Sequence, residues 1–254
     1  MSLTIQMLGT GSAFAKNYYN NNALLDSGEG KLLIDCGTTA SLALHQMGVP
    51  LPEIDAILIT HIHADHVGGL EEFGFQMNIL HGHKPVLCIA EPLIHPLWEN
   101  TLKGGMSQQG MIGKLEDVFE VNVLTPGEST SLISGIEVEL IPTRHIPGKD
   151  SYSLFINDRL FYSADMIFDP GLLNQLVHER GCRSILHEVQ LQGAGEVHTT
   201  LDELLSLPIL LQERIRLMHY SDDMEQFREK AGVMSFLEQQ RVYNIVELER
   251  TEQK

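Results

Sequence analysis

Residues 60–69 read THIHADHVGG, and within them His61, His63, Asp65 and His66 form the pattern HxHxDH. The run before it, IDAILIT at 54–60, is almost continuously apolar, as a strand buried on both faces is. The cluster therefore falls at the C-terminal end of a buried strand, where loops of α/β proteins commonly carry function. Imidazoles two residues apart in an extended segment point to the same side and can share one metal. Asp65 and His66 then reach a second position. Imidazole combined with carboxylate suits Zn²⁺, with Mn²⁺ or Fe as alternatives. Four ligands are too few for two metals, so further histidines and a bridging carboxylate are expected at later strand ends.

The later sequence supplies them. His145 lies in IPTRHIPG after the β-like run IEVELI, Asp165 in LFYSADM, and His219 in RLMHYSD. Each follows an apolar run, so all can occupy one rim. The rest of the chain reads around this frame. LTIQMLG is a strand, ALLDSGEGKLLIDCG a hairpin, and 39–48 a helix ended by Gly48 and Pro50. KPVLCIA is a strand, and EPLIHPLWENTL a helix interrupted by Pro96. KGGMSQQGMIGK at 103–114, rich in Gly and Met, is expected to form a lid or a dimer contact. FEVNVLT and TSLISG are strands, and SYSLFIN and RLFYSADM pair across Asn157 and Asp158. GLLNQLVHERG is helical, SILHEV a strand, LDELLSLPILLQE a helix broken at Pro208, and RIRLMHYS a strand. One more helix and an edge strand, RVYNIVEL, close the chain. No low-complexity linker divides the sequence, so residues 1–254 read as a single α/β domain, two packed sheets inside with helices outside.

Composition narrows the partners. The chain of 254 residues carries 17 Lys and Arg against 34 Asp and Glu, a net charge of −17. A protein that grips a long polyanion shows a basic patch, because each neutralised phosphate releases counterions. Long nucleic acid is therefore disfavoured. One small anion can still bind where cations dominate the local field. No apolar run reaches the ~18–20 residues that span a bilayer. The N-terminus MSLTIQMLGTGSAFAK lacks the basic region and apolar core of a secretory signal, so a cytoplasmic setting is expected. Cys36, Cys88 and Cys182 are dispersed and read as small buried residues rather than a disulfide or zinc framework.

These motifs resemble the metallo-β-lactamase fold, and within it the branch that includes ribonuclease Z. The likeness covers LGTGSA, LLIDCG, HIHADH, His145, YSADM (where the family often has Gly in place of Ala164) and His219. It implies an αββα sandwich with two Zn²⁺, Mn²⁺ being an alternative. One metal would be held by His61, His63 and His145, the other by Asp65, His66 and His219, with Asp165 bridging. Asp35 of LLIDCG would support the HxHxDH loop from behind. HEVQL at 187–191 and HTT at 198–200 resemble the HEAT and HST motifs of the ribonuclease Z branch, with a shorter segment between them. That maps a coupled Glu188 and His198 near the leaving group. Asp65, Glu188 and His198 are the catalytic candidates. The long basic arm with which ribonuclease Z grasps tRNA is missing. What remains is most similar to the anti-Pycsar cyclic-nucleotide phosphodiesterases of phages and their bacterial relatives. That likeness implies a homodimer hydrolysing cyclic mononucleotides (cyclic CMP, UMP, AMP or GMP) to monophosphates, as a counter to an antiphage defence, in the host cytoplasm if phage-encoded.

Other histidines read as structural or exposed: His45, His95 and His178 in helical patterns, His81 and His83 in a loop, His187 on the far face of its strand. GTGSA lacks the full GxGxxG pattern and reads as a tight turn under the site. The run ELERTEQK reads as solvated surface. Three other functions compete: tRNA processing, hydrolysis of a lactam, thioester or lactone, and sequestration of a nucleotide without cleavage. Charge opposes the first, the HEVQL and HTT pair the second, and the full ligand set the third.

Overall fold

A computed structural model describes residues 3–249. The last residues of ELERTEQK, 250–254, lie outside the described residues. The first sheet contains β1 (Thr4–Met7), β2 (Ala23–Asp26), β3 (Lys31–Ile34), β4 (Ala56–Leu58), β5 (Val86–Ala90) and β6 (Glu120–Leu124). The second contains β7 (Ser129–Ile133), β8 (Ile136–Thr143), β9 (Ser151–Ile156), β10 (Leu160–Tyr162), β11 (Ser184–Glu188), β12 (Ile215–Met218) and β13 (Ser235–Phe236). β14 (Val242–Asn244) returns to the first sheet beside β1, so each sheet has seven strands, in the orders 14-1-2-3-4-5-6 and 13-12-11-10-9-8-7.

Alternation explains the layering. Side chains on a strand point to opposite faces with period two. In the second sheet Leu154, Leu160, Tyr162 and Leu186 join a core shared with Ile5, Leu33 and Leu58 of the first sheet. Their neighbours Phe155, Phe161 and Ile185 belong to a separate core on the other face. That outer core is covered by α6 (Pro170–His178), α7 (Leu201–Leu205) and α8 (Ile209–Gln212), and the first sheet by α1 (Ala40–Met47), α3 (Leu70–Leu80) and α4 (Glu91–Leu97). The result is the expected αββα sandwich. The short α2 (Ala64–Val67), α5 (Lys103–Met106) and α9 (Ile245–Leu248) complete the helices among the described residues.

Several elements differ from the sequence reading. Pro96 does not interrupt its helix; the chain stays helical through it and widens into a π-helical turn at Trp98–Leu102, where Thr101 Oγ1 donates to Pro96 O at 3.3 Å. Helix α3 was not anticipated, although Leu70, Phe73, Gly74 and Met77 line its buried face. The segment before β13 holds two short 3₁₀ turns in place of a helix, and RVYNIVEL is strand only to Asn244. There the Asn244 side chain accepts from Val246 N at 2.9 Å and starts α9. The hairpin across Asn157 and Asp158 is as expected: both adopt left-handed φ, 49° and 52°, which suits a type I′ turn.

The HxHxDH loop packs on the turn after β3. Cys36 N donates to His66 O at 2.7 Å, and Gly69 N to Cys36 O at 2.8 Å. Asn22 clasps both segments, its Nδ2 donating to Asp65 O at 3.1 Å and its Oδ1 accepting from Gly37 N at 2.9 Å. A Cβ on Gly37 would stand 1.9 Å from Asp65 O. Gly37→Ala is therefore expected to destabilise the fold by about 1–3 kcal/mol and to lower metal content, read by urea denaturation and elemental analysis. Unchanged values in both would show that the loop tolerates displacement.

Candidate metal centre

Four predicted ligands leave the C-terminal end of a strand: His61 follows β4, His145 follows β8, Asp165 follows β10, and His219 follows β12, while His63, Asp65 and His66 sit on the loop and the short α2 that continue from β4. Asp35, expected to support that loop, follows β3. β3 and β4 are parallel, as are β10, β11 and β12. The rim is thus the crevice outside the carboxyl ends of strands, a general location for sites in α/β sheets. The two sheets are tied there by a bridge between His61 and Ser151, and by Tyr152 N donating to Thr60 O at 3.1 Å.

The structure brings the predicted ligands into two groups that share one carboxylate. His61, His63, His145 and Asp165 form the first, and Asp65, His66, Asp165 and His219 the second, with ligand atoms in each within 4.8 Å of one another. In the first group Asp165 Oδ2 lies 3.8 Å from His61 Nε2 and 3.9 Å from His145 Nε2. In the second, His219 Nε2 lies 3.4 Å from both Asp65 Oδ2 and Asp165 Oδ2, and His66 Nε2 lies 3.5 Å from Asp165 Oδ1.

Hydrogen bonds behind the ligands set their tautomers. His66 Nδ1 donates to Asp35 Oδ2 at 2.7 Å, and His145 Nδ1 to Val197 O at 2.7 Å. Thr60 Oγ1 donates to Asp35 Oδ2 at 2.7 Å and meets His61 Nδ1 at 3.1 Å. Each ring is left with Nε2 facing the cluster. His63 presents Nδ1 instead, 3.0 Å from His61 Nε2 and 3.3 Å from His145 Nε2. With the His63 proton on Nε2, the three nitrogens face one another as lone pairs, the form in which all three could ligate one cation. His66 Nε2 and Asp165 Oδ1 are buried without a hydrogen-bond partner. Buried polar atoms without partners are costly and call for an explanation such as an ion. The donor set fits divalent metal, with Asp165 common to both groups.

The electrostatics of the two groups differ. Burial, with help from neighbouring imidazoles, holds His61 well below its ordinary pKa and lowers His63 to about 4. Burial also lowers His145, against the pull of Asp165. These three are neutral near pH 7, the form that binds metal. In the second group burial works the same way but loses to the carboxylates. Asp165 and its neighbours hold His66 well above its usual value and lift His219 to about 10. Burial alone would raise Asp165; the His219 and His66 charges hold it far below the carboxylate range.

The chain turns sharply at three of these strand ends. Asp35, Ala164 and His219 adopt φ of 59°, 49° and 56°. Left-handed φ costs a non-glycine residue roughly 1–2 kcal/mol, and such strain concentrates at functional sites. It explains why Gly suits the position of Ala164.

Glu188 and His198 also meet, as expected. His198 Nδ1 lies 3.0 Å from Glu188 Oε2 and 4.0 Å from Asp165 Oδ2. Glu188 is fully buried, and its Oε1 also accepts from Met166 N at 2.8 Å. Burial pushes its carboxyl up, but the His198 hydrogen bond and nearby His219 outweigh this and hold it below the glutamate norm. Burial depresses His198, and Glu188 more than restores it, so its pKa is raised. A cavity of about 760 Å³ opens over the cluster, bordered by Ser12, Phe14, Asp165, His198 and His219. A smaller one, about 390 Å³, meets it at His63 and His145.

Residues 103–114 line neither cavity; Met106 is buried under α3 while Met111 is exposed, so the segment is not a lid within one chain. GTGSA lies beside the site as well as under it, since Ser12 and Ala13 border the large cavity. His45, His81, His83, His95 and His178 are exposed and apart from the cluster, and His187 is buried with Nδ1 on Glu188 O at 2.8 Å. The three cysteines are buried and free. The sequence reading missed Asn22, Thr60 and the Val197 carbonyl. Thr60 adjoins the motif and its hydroxyl offered a signal; the other two did not.

Fold and site define a metallo-β-lactamase fold protein with a His/Asp centre able to bind divalent metal. Among solved structures the chain superposes on YhfI of Bacillus subtilis (TM-score 0.73, 16% identity, 96% of this chain and 99% of that one). It also matches a diphosphatase from the PhnP family (TM-score 0.76, 18% identity, 95% and 97%), and the short form of human tRNase Z (TM-score 0.66, 20% identity, 95% and 99%). The chain belongs to the Anti-Pycsar protein Apyc1 family, which matches residues 3–243. It is 63% identical over 245 residues to the Anti-Pycsar protein Apyc1 of Paenibacillus sp. strain J14, covering 96% of this chain and all of that one. It is 41% identical over 256 residues to that of Bacillus phage 010DV004, covering 95% and 98%.

The protonation contrast predicts unequal metal binding. Cation loading at His66 and His219 must displace protons; loading at His61, His63 and His145 need not. Zn²⁺ calorimetry near pH 7 in buffers of different ionisation enthalpy should show one binding event with proton release and one with little. The coupled event should weaken as pH falls. Two events with equal proton release would contradict this assignment.

Proposed function

We propose that this protein is a dinuclear-metal phosphodiesterase, with Zn²⁺ or Mn²⁺, that opens small cyclic mononucleotides to nucleoside monophosphates. The observation that carries the reading is the Glu188–His198 pair beside the shared carboxylate, at 3.0 Å and 4.0 Å, on the wall of one cavity. The volume of about 760 Å³ suits a small ligand. Membership of a family named for countering a cyclic-nucleotide defence supports the same substrate class.

Two bound divalent cations would neutralise charge on a phosphodiester and acidify water at its phosphorus. Asp165 would hold both, the three neutral imidazoles one, and Asp65, His66 and His219 the other. The chain's own proton chemistry falls to His198. Its Nδ1–H donates to Glu188, so Nε2–H is the proton free to leave. Attack of water on phosphorus breaks the bond to the 3′ oxygen. That oxygen takes the Nε2 proton, and the attacking water's proton passes to solvent. Glu188, kept ionised, orients the ring and stabilises its charged form. Asp65 closes the second ligand group and lies 3.3 Å from His66 Nε2.

Association as a homodimer and a cytoplasmic setting are part of the proposal. The resemblance to homodimeric relatives is what supports the dimer, and the exposed neighbours Ile79 and Leu80 at the end of α3 are apolar surface that a second copy could cover. Sedimentation equilibrium of the purified chain should give twice the mass of 28.4 kDa; a monomer at micromolar concentration would remove this part. No described helix is long and apolar enough to cross a membrane.

The test is a product assay with the metal-loaded protein on cyclic CMP, UMP, AMP and GMP, beside a precursor tRNA. Conversion to monophosphates is expected, with the tRNA intact. His198→Ala should cost about 10²–10⁴-fold in kcat with both metals retained. A His198 held protonated by Glu188 makes activity fall as pH rises through its raised pKa. Glu188→Gln removes that anion, so the alkaline limb should move to lower pH. A limb that stays in place would remove Glu188 from this role. Cleavage of tRNA in place of the cyclic nucleotides would favour a ribonuclease Z-like enzyme instead.

A further inference from the structure

Phe14 is left almost wholly in solvent, 88% exposed, on a turn that is otherwise tightly held. Ser12 N donates to Tyr220 O at 3.0 Å, and Ala15 N closes the turn on Ser12 O at 3.1 Å. Beyond the turn, the Asp222 carboxylate accepts from Lys16 N at 2.9 Å and Asn17 N at 2.8 Å. Gly11 N donates to Tyr19 O at 2.8 Å behind it. The backbone under the ring is therefore pinned from both sides, and the exposure does not come from a loose loop. An aromatic side chain gains free energy by leaving water, so a fixed, exposed ring is stabilisation that folding leaves unused.

The ring borders the cavity that holds His198, Asp165 and His219. The other apolar surfaces of that cavity include Ile146, Val189 and Leu191. The metal-ligating side chains, the Phe14 ring and these aliphatic side chains thus border one space, together with polar Gln190, Gln192, Ser221 and Asp223. A molecule suited to both parts has one compact anionic group and one flat, apolar-faced ring. We propose that Phe14 is the platform on which the nucleobase of the substrate stacks while its phosphodiester lies at the metal centre. This rests on the phosphodiesterase reading above and adds the residue that takes the base. Stacking uses the π face that every base has, so such a platform grips all four bases and reads none of them by hydrogen bonding. Contact with the base is equal before and during reaction at phosphorus. It belongs to substrate affinity, not to the chemical step.

The experiment compares the wild-type protein with Phe14→Ala and Phe14→Trp, each metal-loaded, on the four cyclic mononucleotides. Phe14→Ala should raise KM on the order of tenfold for every base, with a much smaller change in kcat, and Phe14→Trp should restore KM. A direct readout uses the slowly cleaved phosphorothioate of cyclic 2-aminopurine riboside monophosphate. Its fluorescence should be quenched on binding to wild type and to Phe14→Trp, and much less at saturation with Phe14→Ala. An unchanged KM and undiminished quenching with Phe14→Ala, while wild type hydrolyses cyclic nucleotides, would overturn the platform and leave the phosphodiesterase standing. A drop in kcat alone, or loss of dimer with KM unchanged, would likewise overturn it. A wild-type protein that hydrolyses none of the four would remove the phosphodiesterase reading and this inference with it.

Discussion

A fully buried carboxylate organises the rim on which everything else stands. Asp35 accepts from Thr60 N at 2.9 Å, Thr60 Oγ1 at 2.7 Å and His66 Nδ1 at 2.7 Å. Burial drives its pKa up, while those donors oppose the rise. A buried charge is tolerable only when nearly every lone pair is used. Here the three donors all come from the segment after β4. The end of β3 and the start of the HxHxDH loop are therefore locked to each other by a group that neither could bury alone. His61 is held through Thr60 and His66 directly, so one carboxylate sets the orientation of a ligand in each group. Its left-handed backbone is part of the same device, because the turn aims the carboxylate across to β4 instead of along its own strand.

The same constraint bears on charge. The chain is strongly acidic, yet the proposed substrate is an anion. Asp65 and Asp165 place further negative charge where that anion would lie. Without metal, the positive charges set against these carboxylates are those of His66, His219 and His198. Bound cations would concentrate positive charge at one point while the rest of the surface stays unattractive to polyanions. An acidic surface around a cationic centre favours a small anion that fits the cavity over a long one that must also lie along the rim. The charge balance and the ligand set therefore argue in the same direction.

Much of this was legible because metal ligands announce themselves by type and place. HxHxDH after a buried run, then His145, Asp165 and His219 after later β runs, pointed to one rim, since strand ends in parallel register share an edge. The strands could be read from period and apolarity, and the Asn157–Asp158 turn from residues that tolerate left-handed φ. What escaped lacks a local signature. Asn22 clasps a loop 43 residues away and the Val197 carbonyl holds a ring 52 residues away; neither leaves a pattern in its own neighbourhood. Helix α3 was obscured because it begins on the glycines that close the metal loop and carries Gly74 and Phe75 within it. Pro96 reads as a break in sequence, but a π-helical turn absorbs it. Phe14 follows GTGSA without a pattern to single it out; only the packing shows that little among the described residues covers it.

The strained positions connect these observations. Asp35, Ala164 and His219 each follow a strand, each take left-handed φ, and each are almost or wholly buried. A chain leaving a strand in the extended region would carry its next side chain onward past the rim. Reversing φ at that residue turns the backbone back, so Asp165, one residue after Ala164, and His219 itself join the cluster at the rim. The cost recurs at three positions and is met by the packing around them. Ser163 Oγ accepts from Glu188 N at 2.8 Å, and Ser153 Oγ donates to Ser163 O at 2.6 Å, next to the Ala164 turn. The sandwich thus supplies two things that a loop of the same residues would lack: a rigid edge from which ligands depart in register, and enough surrounding contact to hold their backbones in conformations they would otherwise leave.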